Sequence, residues 1–433
     1  SLTPAAKAPP VPAEARVAWQ VSFPDRALAL KPQANGNVAV LTQDGTAAAL
    51  DPSGKVLWQK TVDCGDDLKH GASVDGNVLV VGAGHHLVAF DGAGKQLLDV
   101  PFDFELPGGK GGKKQTSQIT AVAVSPDGKN IAAGAANGRL LLLDNQGDTK
   151  WTIGGVTGEE LEKWAADVKT WEAGKAEREA AMKQFKEAEA QWKEEVKQWE
   201  AGGKKGKQPA QPKQPSLPGN PRKPEPVPYL EAAFSSDGSL LLAITKNEGH
   251  VLSVADGKIS AKVGGIAPFF RPVRMGENLL VTDGRARLEL VSPAQGKALS
   301  EVRCSQFVQA PGKKPGEMKE LPDTAVSAAL LNDTLIAATE FDGTVRALKD
   351  VKGKLEEQTQ WSFKLPLRVT KKLAAGDGLV AVAYWGGTLR VLDSTGAAKF
   401  GQTLPQDISA LACLGKLVIV ATADGRITAL EAK

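Results

Sequence analysis

"VAVLTQDGTAAALDPSGKVLWQ", residues 38–59, reads as three short strands separated by two turns. Small or β-branched apolar residues fill the strand stretches. Asp44-Gly45 is a pair that two-residue hairpins favour, and "DPSG" at 51–54 supplies the second turn. The pattern returns as "LVVGAGHHLVAFDGAGKQLLDV" (79–100), "IAAGAANGRLLLLDNQGDTKWTI" (131–153) and "VAVAYWGGTLRVLDSTGAAKFGQ" (380–402). A Gly-containing hairpin recurs at Gly45, Gly84, Gly138, Gly249, Gly284, Gly343, Gly387 and Gly425. Most steps are about 35 to 60 residues, near the period of four-stranded propeller blades. Gly138 to Gly249 is the exception, and removing about 155–226 restores an ordinary step. The expected fold is therefore all-β: an eight-bladed β-propeller of four-stranded antiparallel blades carrying one long helical insertion.

The two ends of the chain complete each other. After Gly425 the sequence "RITALEAK" stops one strand short of a blade, and "RVAWQVSF" (Arg16 to Phe23) has the character of that missing strand. Trp19 then takes the place held by Trp58 and Trp151. Pairing first and last segments in one blade removes the open sheet edge. The expected organisation is a linker over 1–15, the closing strand with blades one to three over 16–154, the insertion over 155–227, and blades four to eight over 228–433.

"ALDPSGKVLW" (Ala49 to Trp58) resembles the Asp, Ser/Thr-Gly, Trp repeat of the quinoprotein (PQQ-like) eight-bladed propellers. Weaker copies end at Leu98, Trp151 and Phe400, and those of blades four to six are poorer. Asp can accept backbone N–H groups across its turn, Gly permits positive φ, and the aromatic fills the space between blades. "VSPDGKNIAAGAANGRLLLLD" (124–144) also resembles WD-type blades without their Trp-Asp ending. Both resemblances bear on fold; function must be argued from sites.

Catalytic chemistry has little material here. Quinoprotein dehydrogenases, by the resemblance, would hold PQQ beside adjacent cysteines with an Asp base and a calcium or lanthanide ion. Cys64, Cys304 and Cys413 are far apart and in no CxxC pair, so small buried thiols are the reading. "TQDGT", "SPDGK" and "SSDGS" read as hairpin turns rather than calcium loops. His85-His86 at a strand start should point to opposite faces and not chelate one metal. No cofactor and no metal are expected. A quinoprotein-like enzyme using the central pocket remains the alternative function. Net charge is only +3 with pI near 8.5, which gives no reason to expect nucleic acid. No apolar run reaches the ~20 residues of a bilayer span. The opening "SLTPAAKAPPVPAEA" lacks Met and fits a secreted or periplasmic chain after signal cleavage, and equally a shortened chain.

The insertion is a different material. "TGEELEKWAADVKTWEAGKAEREAAMKQFKEAEAQWKEEVKQWEA" (157–201) is rich in Ala, Glu and Lys. Leu161, Val168, Met182 and Val196 hold one heptad position; Trp164, Trp171, Phe185, Trp192 and Trp199 hold the other. Lys175 and Arg178 keep the phase across Gly174, which predicts one continuous helix. Next comes "QPAQPKQPSLPGNPRKPEP" (208–226), with Pro209, Pro212, Pro215, Pro218, Pro221 and Pro224 at strict three-residue spacing. A polyproline II strand has three residues per turn, so these prolines form one stripe. The expected arrangement folds six prolines back along six heptad steps, five aromatic and one Arg178, from a turn at Gly202-Gly203. It is similar to the α-helix/polyproline stalks of some bacterial surface adhesins. A helical hairpin with a disordered tail, or a flexible insertion, are the alternatives.

Three insertions, 105–117, the stalk and 309–321, should all leave one face, because each joins an outer strand to the next inner strand. Their basic residues Lys110, Lys113, Lys114, Lys204, Lys205, Lys207, Lys313 and Lys314 are the candidate partner-binding set. The expected function is a non-catalytic scaffold contacting another protein or a multi-protein assembly. Anionic polysaccharide or cell-wall material is the other candidate for these loops.

Overall fold

The computed structural model describes residues 13–63, 68–105, 114–284, 287–303, 307–311, 314–341, 343–366 and 368–433. Among them, eight four-stranded antiparallel sheets form the blades of a propeller. The inner strands, in blade order, are Ala27–Pro32, Leu68–Ala72, Ile119–Val124, Glu231–Phe234, Val273–Met275, Ala325–Leu331, Thr370–Gly376 and Ile408–Leu414. Closure is as the two ends require. Ala15–Ser22 pairs antiparallel with Arg426–Ala432 and is the outermost strand of the eighth blade. Its hydrogen-bonded register covers Ala15 opposite Ala432 through Ser22 opposite Arg426.

The second and third strands of each blade are almost wholly buried, and their residues pack between neighbouring sheets. Val38–Thr42 and Thr46–Leu50, for example, are buried at every position. Leucine, alanine and valine dominate there because sheets meet on both faces and leave no room for polar ends.

The Asp–Gly–Trp repeat joins one blade to the next. Asp51 Oδ1 accepts from the Ser53 and Lys55 amides at 2.8 and 3.0 Å, closing the turn. The Trp19 indole N–H, from the eighth blade, donates to the Pro52 carbonyl in the first at 3.0 Å. Trp58 does the same to Gly92 at 3.0 Å, and Trp151 to Val254 at 2.9 Å. A Cβ at Gly54 or Gly94 would stand 2.5 Å from the Trp19 or Trp58 ring, so glycine lets the indole lie flat on the turn. Trp58 and Trp151 are half-buried rather than enclosed, because the indole edge remains at the rim of the seam. Trp361 on the sixth blade packs on Gly396 in the same way and is buried, although no repeat motif marks it. Gly249 differs from its counterparts: it lies inside strand Glu248–Ser253 rather than in the hairpin turn.

The chain divides into two compact units, one of residues 1–104, 114–155 and 227–433, the other of 105–113 and 156–226. The second unit holds α1 (Gly158–Ala173) and α2 (Lys175–Ala201). Helix α1 opens with a capping box in which Glu160 N–H donates to Thr157 Oγ1 at 3.2 Å and Thr157 N–H to Glu160 Oε2 at 2.8 Å. The single helix expected from the heptad phase is interrupted at Gly174, whose φ of −81° and ψ of 9° depart from helix. Arg178 accounts for the tolerance of the break: its guanidinium donates to the Trp171 carbonyl and stacks 4.0 Å from the Trp171 ring centroid.

Beyond α2 the chain reverses through Gly203 and Lys204, both at positive φ, and continues without helix or strand. Indole N–H groups then meet carbonyls of the returning segment in order: Trp164 to Pro221 at 3.1 Å and Trp171 to Pro218 at 3.0 Å. Trp192 reaches Pro209 at 3.0 Å and Trp199 reaches Gly206 at 3.3 Å. Each step of seven on the helix meets a step of three on the return, about 10.5 Å against about 9.3 Å. This register is one step away from six prolines facing six heptad positions. The tight turn brings Gly206, not Pro209, opposite Trp199, and Pro224 falls past the last indole bond. Phe185, Pro212 and Pro215 are half-buried between these bonds, and Pro218 is exposed.

Candidate interaction face

Strands within a blade run alternately up and down. The blade-to-blade connections and the hairpins between second and third strands therefore share one end of the propeller unit, and the inner strands begin there. The hairpin of Asp103–Glu105 with Lys114–Thr116 and that of Phe307–Pro311 with Met318–Pro322 both sit in such connections.

Large apolar side chains are exposed on this end: Phe269 (47%), Met318 (57%), Phe341 (56%) and Trp385 (50%). They come from the connection between blades four and five, the Met318 hairpin, and the outer-end turns of blades six and seven. Lys371 Nζ lies 4.2 Å from the Trp385 ring centroid and 3.6 Å from Asp407 Oδ2. That combination of exposed aromatics with a held cation suits protein contact, where aromatic residues and Arg anchor the buried centre.

At the centre of the same end is a cavity of ≈ 550 Å³ whose wall includes Lys69, His70, Glu231, Arg271 and Lys372. Arg271 bridges blades: its guanidinium donates to the His70 carbonyl of blade two, and its Nε is 3.7 Å from Glu231 Oε2 of blade four. Lys372 Nζ donates to the Ser409 carbonyl at 2.7 Å. Burial first, then Arg271, Lys372 and Lys69, hold His70 down at about 3, so its imidazole is neutral at physiological pH. Burial pushes the Glu231 carboxyl up against the pull of Arg271 and Lys69.

The lysines picked from the insertions do not come together as one site among the described residues. Lys110, Lys113 and Lys313 lie outside the described residues, and Lys114 begins a short strand. Lys314 is exposed, with its amide donating to Glu317 Oε2 at 3.2 Å. Lys204, Lys205 and Lys207 are exposed in the second unit, Lys204 with Nζ 5.8 Å from the Trp199 ring. The cations of the cavity were missed because Lys69 and Lys372 lie on different inner strands and Arg271 in the connection before blade five, and ring closure brings them together. The legible signal was a charge inside short apolar strands such as "LKHGA" and "TKKLAAG".

The histidine pair also differs from expectation. His85 sits in the turn and His86 begins the strand, so their rings lie 4.9 Å apart instead of on opposite faces. His86 Nδ1 is 3.0 Å from Asp99 Oδ1. Among the described residues no group of three or more His, Cys, Asp or Glu is arranged to hold a metal ion. Cys413 is a buried free thiol pushed up to about 12, chiefly by burial; Cys64 and Cys304 lie outside the described residues.

Eight four-stranded blades, several of them joined by Asp–Gly–Trp turns, define a PQQ-like propeller. The sequence signature described as outer membrane protein assembly factor BamB matches residues 12–162 and 341–433, more than half of the chain, and the chain belongs to that family. The unmatched middle, 163–340, holds most of the second unit together with blades four and five. BamB from Moraxella catarrhalis has a similar structure at 15% identity, covering 97% of this chain and 98% of its own, with a TM-score of 0.57. The C-terminal WD40 domain of Sif2 is similar at 12% identity, with 97% and 99% coverage and a TM-score of 0.60. The computationally designed Ika8 protein is similar at 14% identity, with 95% and 98% coverage and a TM-score of 0.58. These likenesses establish the fold alone. No curated protein sequence matches the chain.

Proposed function

We propose that this chain is a non-catalytic scaffold for protein assembly in the bacterial cell envelope, binding its partner through the connection end of the propeller. The observation that carries the reading is the set of exposed apolar side chains there, Phe269, Met318, Phe341 and Trp385. Membership of a family described as an outer membrane protein assembly factor supports both the role and the envelope location. The second unit, in this reading, is an α-helix/polyproline ribbon that presents the exposed Lys204, Lys205 and Lys207 to another partner.

A photo-crosslinking residue placed at Phe341, Met318 or Trp385 in the native host tests the first statement. The expected result is crosslinking of the same protein from all three positions. The exposed Val74, on the turn at the other end of the second blade, should give none. Equal crosslinking at Val74 would remove the assignment of a binding end.

A further inference from the structure

The second unit contains a recess beside its own ladder of bonds. Its indoles donate to the carbonyls of Gly206, Pro209, Pro218 and Pro221, which are all separated by multiples of three residues. The returning segment therefore has three edges, one of them turned to the helices. Lys207, Lys213, Ser216, Gly219 and Arg222 share one of the other two, because they also differ by multiples of three. Between Lys213 and Arg222 that edge carries only the short side chain of Ser216 and the bare backbone of Gly219. The helix break at Gly174 lies against the same stretch. Together they open a cavity of ≈ 500 Å³ whose wall includes Trp171, Pro218, Asp167, Glu177, Ser216 and Gly219. Arg178 lines it too, but its guanidinium is committed to the Trp171 carbonyl and ring.

A cationic edge alone is most simply a solvated face. This one brackets a cavity whose size falls within the range of small-molecule sites. An indole and a proline give it an apolar wall. Asp167, Glu177 and Ser216 are exposed and can accept from alcohol hydroxyls. Lys213 and Arg222, also exposed, stand about 28 Å apart at ~3.1 Å per extended residue and suit anionic groups on either side. A ligand that satisfies both features is a chain rich in hydroxyls with acid groups at intervals. An acidic peptide offers the charges without the hydroxyls, and a lipid surface would meet the cations alone.

We infer that this edge of the second unit binds an acidic polysaccharide, with one sugar ring in the cavity at Trp171 and flanking acid groups held by Lys213 and Arg222. The inference rests on the reading of the second unit as an arm that meets a further partner, and it names that partner's chemistry.

Calorimetric titration of the full chain tests it, using an oligogalacturonate long enough to span both cations. Polyglutamate of equal charge and neutral dextran are the comparators, at matched ionic strength. Oligogalacturonate should bind more tightly than polyglutamate, and dextran far more weakly than either. Lys213→Gln combined with Arg222→Gln should weaken oligogalacturonate about tenfold or more, the scale of one lost charge-assisted hydrogen bond. Gly219→Met should weaken it several-fold yet leave polyglutamate unchanged. A Cβ at Gly219 meets nothing within 4 Å, so the new side chain fills the recess without displacing a neighbour. Replacing Gln208, Gln211 and Gln214 by Ala, on the remaining edge, should change neither ligand. Helical circular dichroism checks that each variant keeps its helices, and the wild-type ranking of ligands decides the case without them. Polyglutamate binding as tightly as oligogalacturonate overturns the inference. So does a folded Gly219→Met variant that binds like wild type, or no heat at millimolar oligogalacturonate. In that event a photo-crosslinking residue at Lys213 in the native host separates the two statements: a captured protein keeps the arm and replaces the polysaccharide, whereas no capture removes both.

Discussion

In the propeller unit Leu41, Leu50, Leu87 and Ile131 are wholly buried between sheets, whereas no residue of α1 or α2 is buried. Each blade is clamped on both sides, and the last is completed by the first strand of the chain, so no blade can loosen without exposing its neighbours. In the second unit each indole touches only its own stretch of the returning segment. Stability there is a sum of local terms along one dimension, as in solenoid proteins. One sequence thus contains a closed, cooperative body and a linear one, and the same tryptophan–carbonyl bond serves both. In the ring it joins blades; in the ribbon it joins a helix to an extended chain.

Deleting residues 1–23 should give the largest effect. It strips the outer strand from Arg426–Ala432 and takes Trp19 off the Gly54 turn. A loss of several kcal/mol is expected, about 10 °C or more in Tm at roughly 2–4 °C per kcal/mol. Unchanged thermal unfolding would mean closure contributes nothing.

Trp58→Ala should come next. The ring packs on Gly94, lies 5.9 Å from Phe90 and donates to Gly92. Being half-buried, it should cost about 2–4 kcal/mol, at or below the lower part of the range for enclosed aromatics. Trp192→Ala sharpens the contrast: it should lower helical circular dichroism without moving the main unfolding transition. A shift of that transition as large as that of Trp58→Ala would erase the distinction between the two regions.

Replacing Pro212, Pro215, Pro218 and Pro221 by Ser changes no helical residue. It removes apolar contact and the preset φ that makes an extended strand inexpensive to order. Helicity of the full chain should fall while the propeller transition stays put. Unaltered helicity would leave α1 and α2 independent of the prolines.

The smallest effect concerns turn carboxylates. Hydrogen bonds from Ser235 first, then Ser239, hold Asp237 down at about 2. A carboxylate depressed below its unfolded value of about 3.9 stabilises above that pH and loses the contribution as pH falls toward 2. Asp237→Ala should therefore melt slightly below wild type at pH 6, and the difference should shrink below about pH 3. A difference independent of pH would assign the effect to packing.

Much of the ring was legible in residues 38–59 alone, because turn chemistry and strand alternation repeat with a fixed period. Trp19 could be placed from its likeness to Trp58 before any partner strand was seen. Trp361 escaped because the repeat copy of its own sixth blade is degraded, although it packs on Gly396 of the next blade as Trp58 does on Gly94. The ribbon's spacing was readable, but not its register, since a three-residue slip conserves the proline rhythm and only the turn at Gly203 and Lys204 fixes it. The break at Gly174 was hidden because heptad phase survives it. The axial cations were least legible. Lys69, Arg271 and Lys372 are far apart in the sequence, and their convergence on one cavity is a property of the closed ring.

Hydrogen exchange of backbone amides on the intact full chain tests the contrast between the two regions most directly. Amides in the second strands of the blades, Val40, Leu142 on the third strand of blade three, and Val382, should exchange only through global unfolding. Those of α1 and α2 should exchange through local opening, orders of magnitude faster, with a gradient from the Gly203 turn and from the Gly174 break. Equal protection in the blades and in α1 and α2 would contradict the division into a cooperative ring and a linear ribbon.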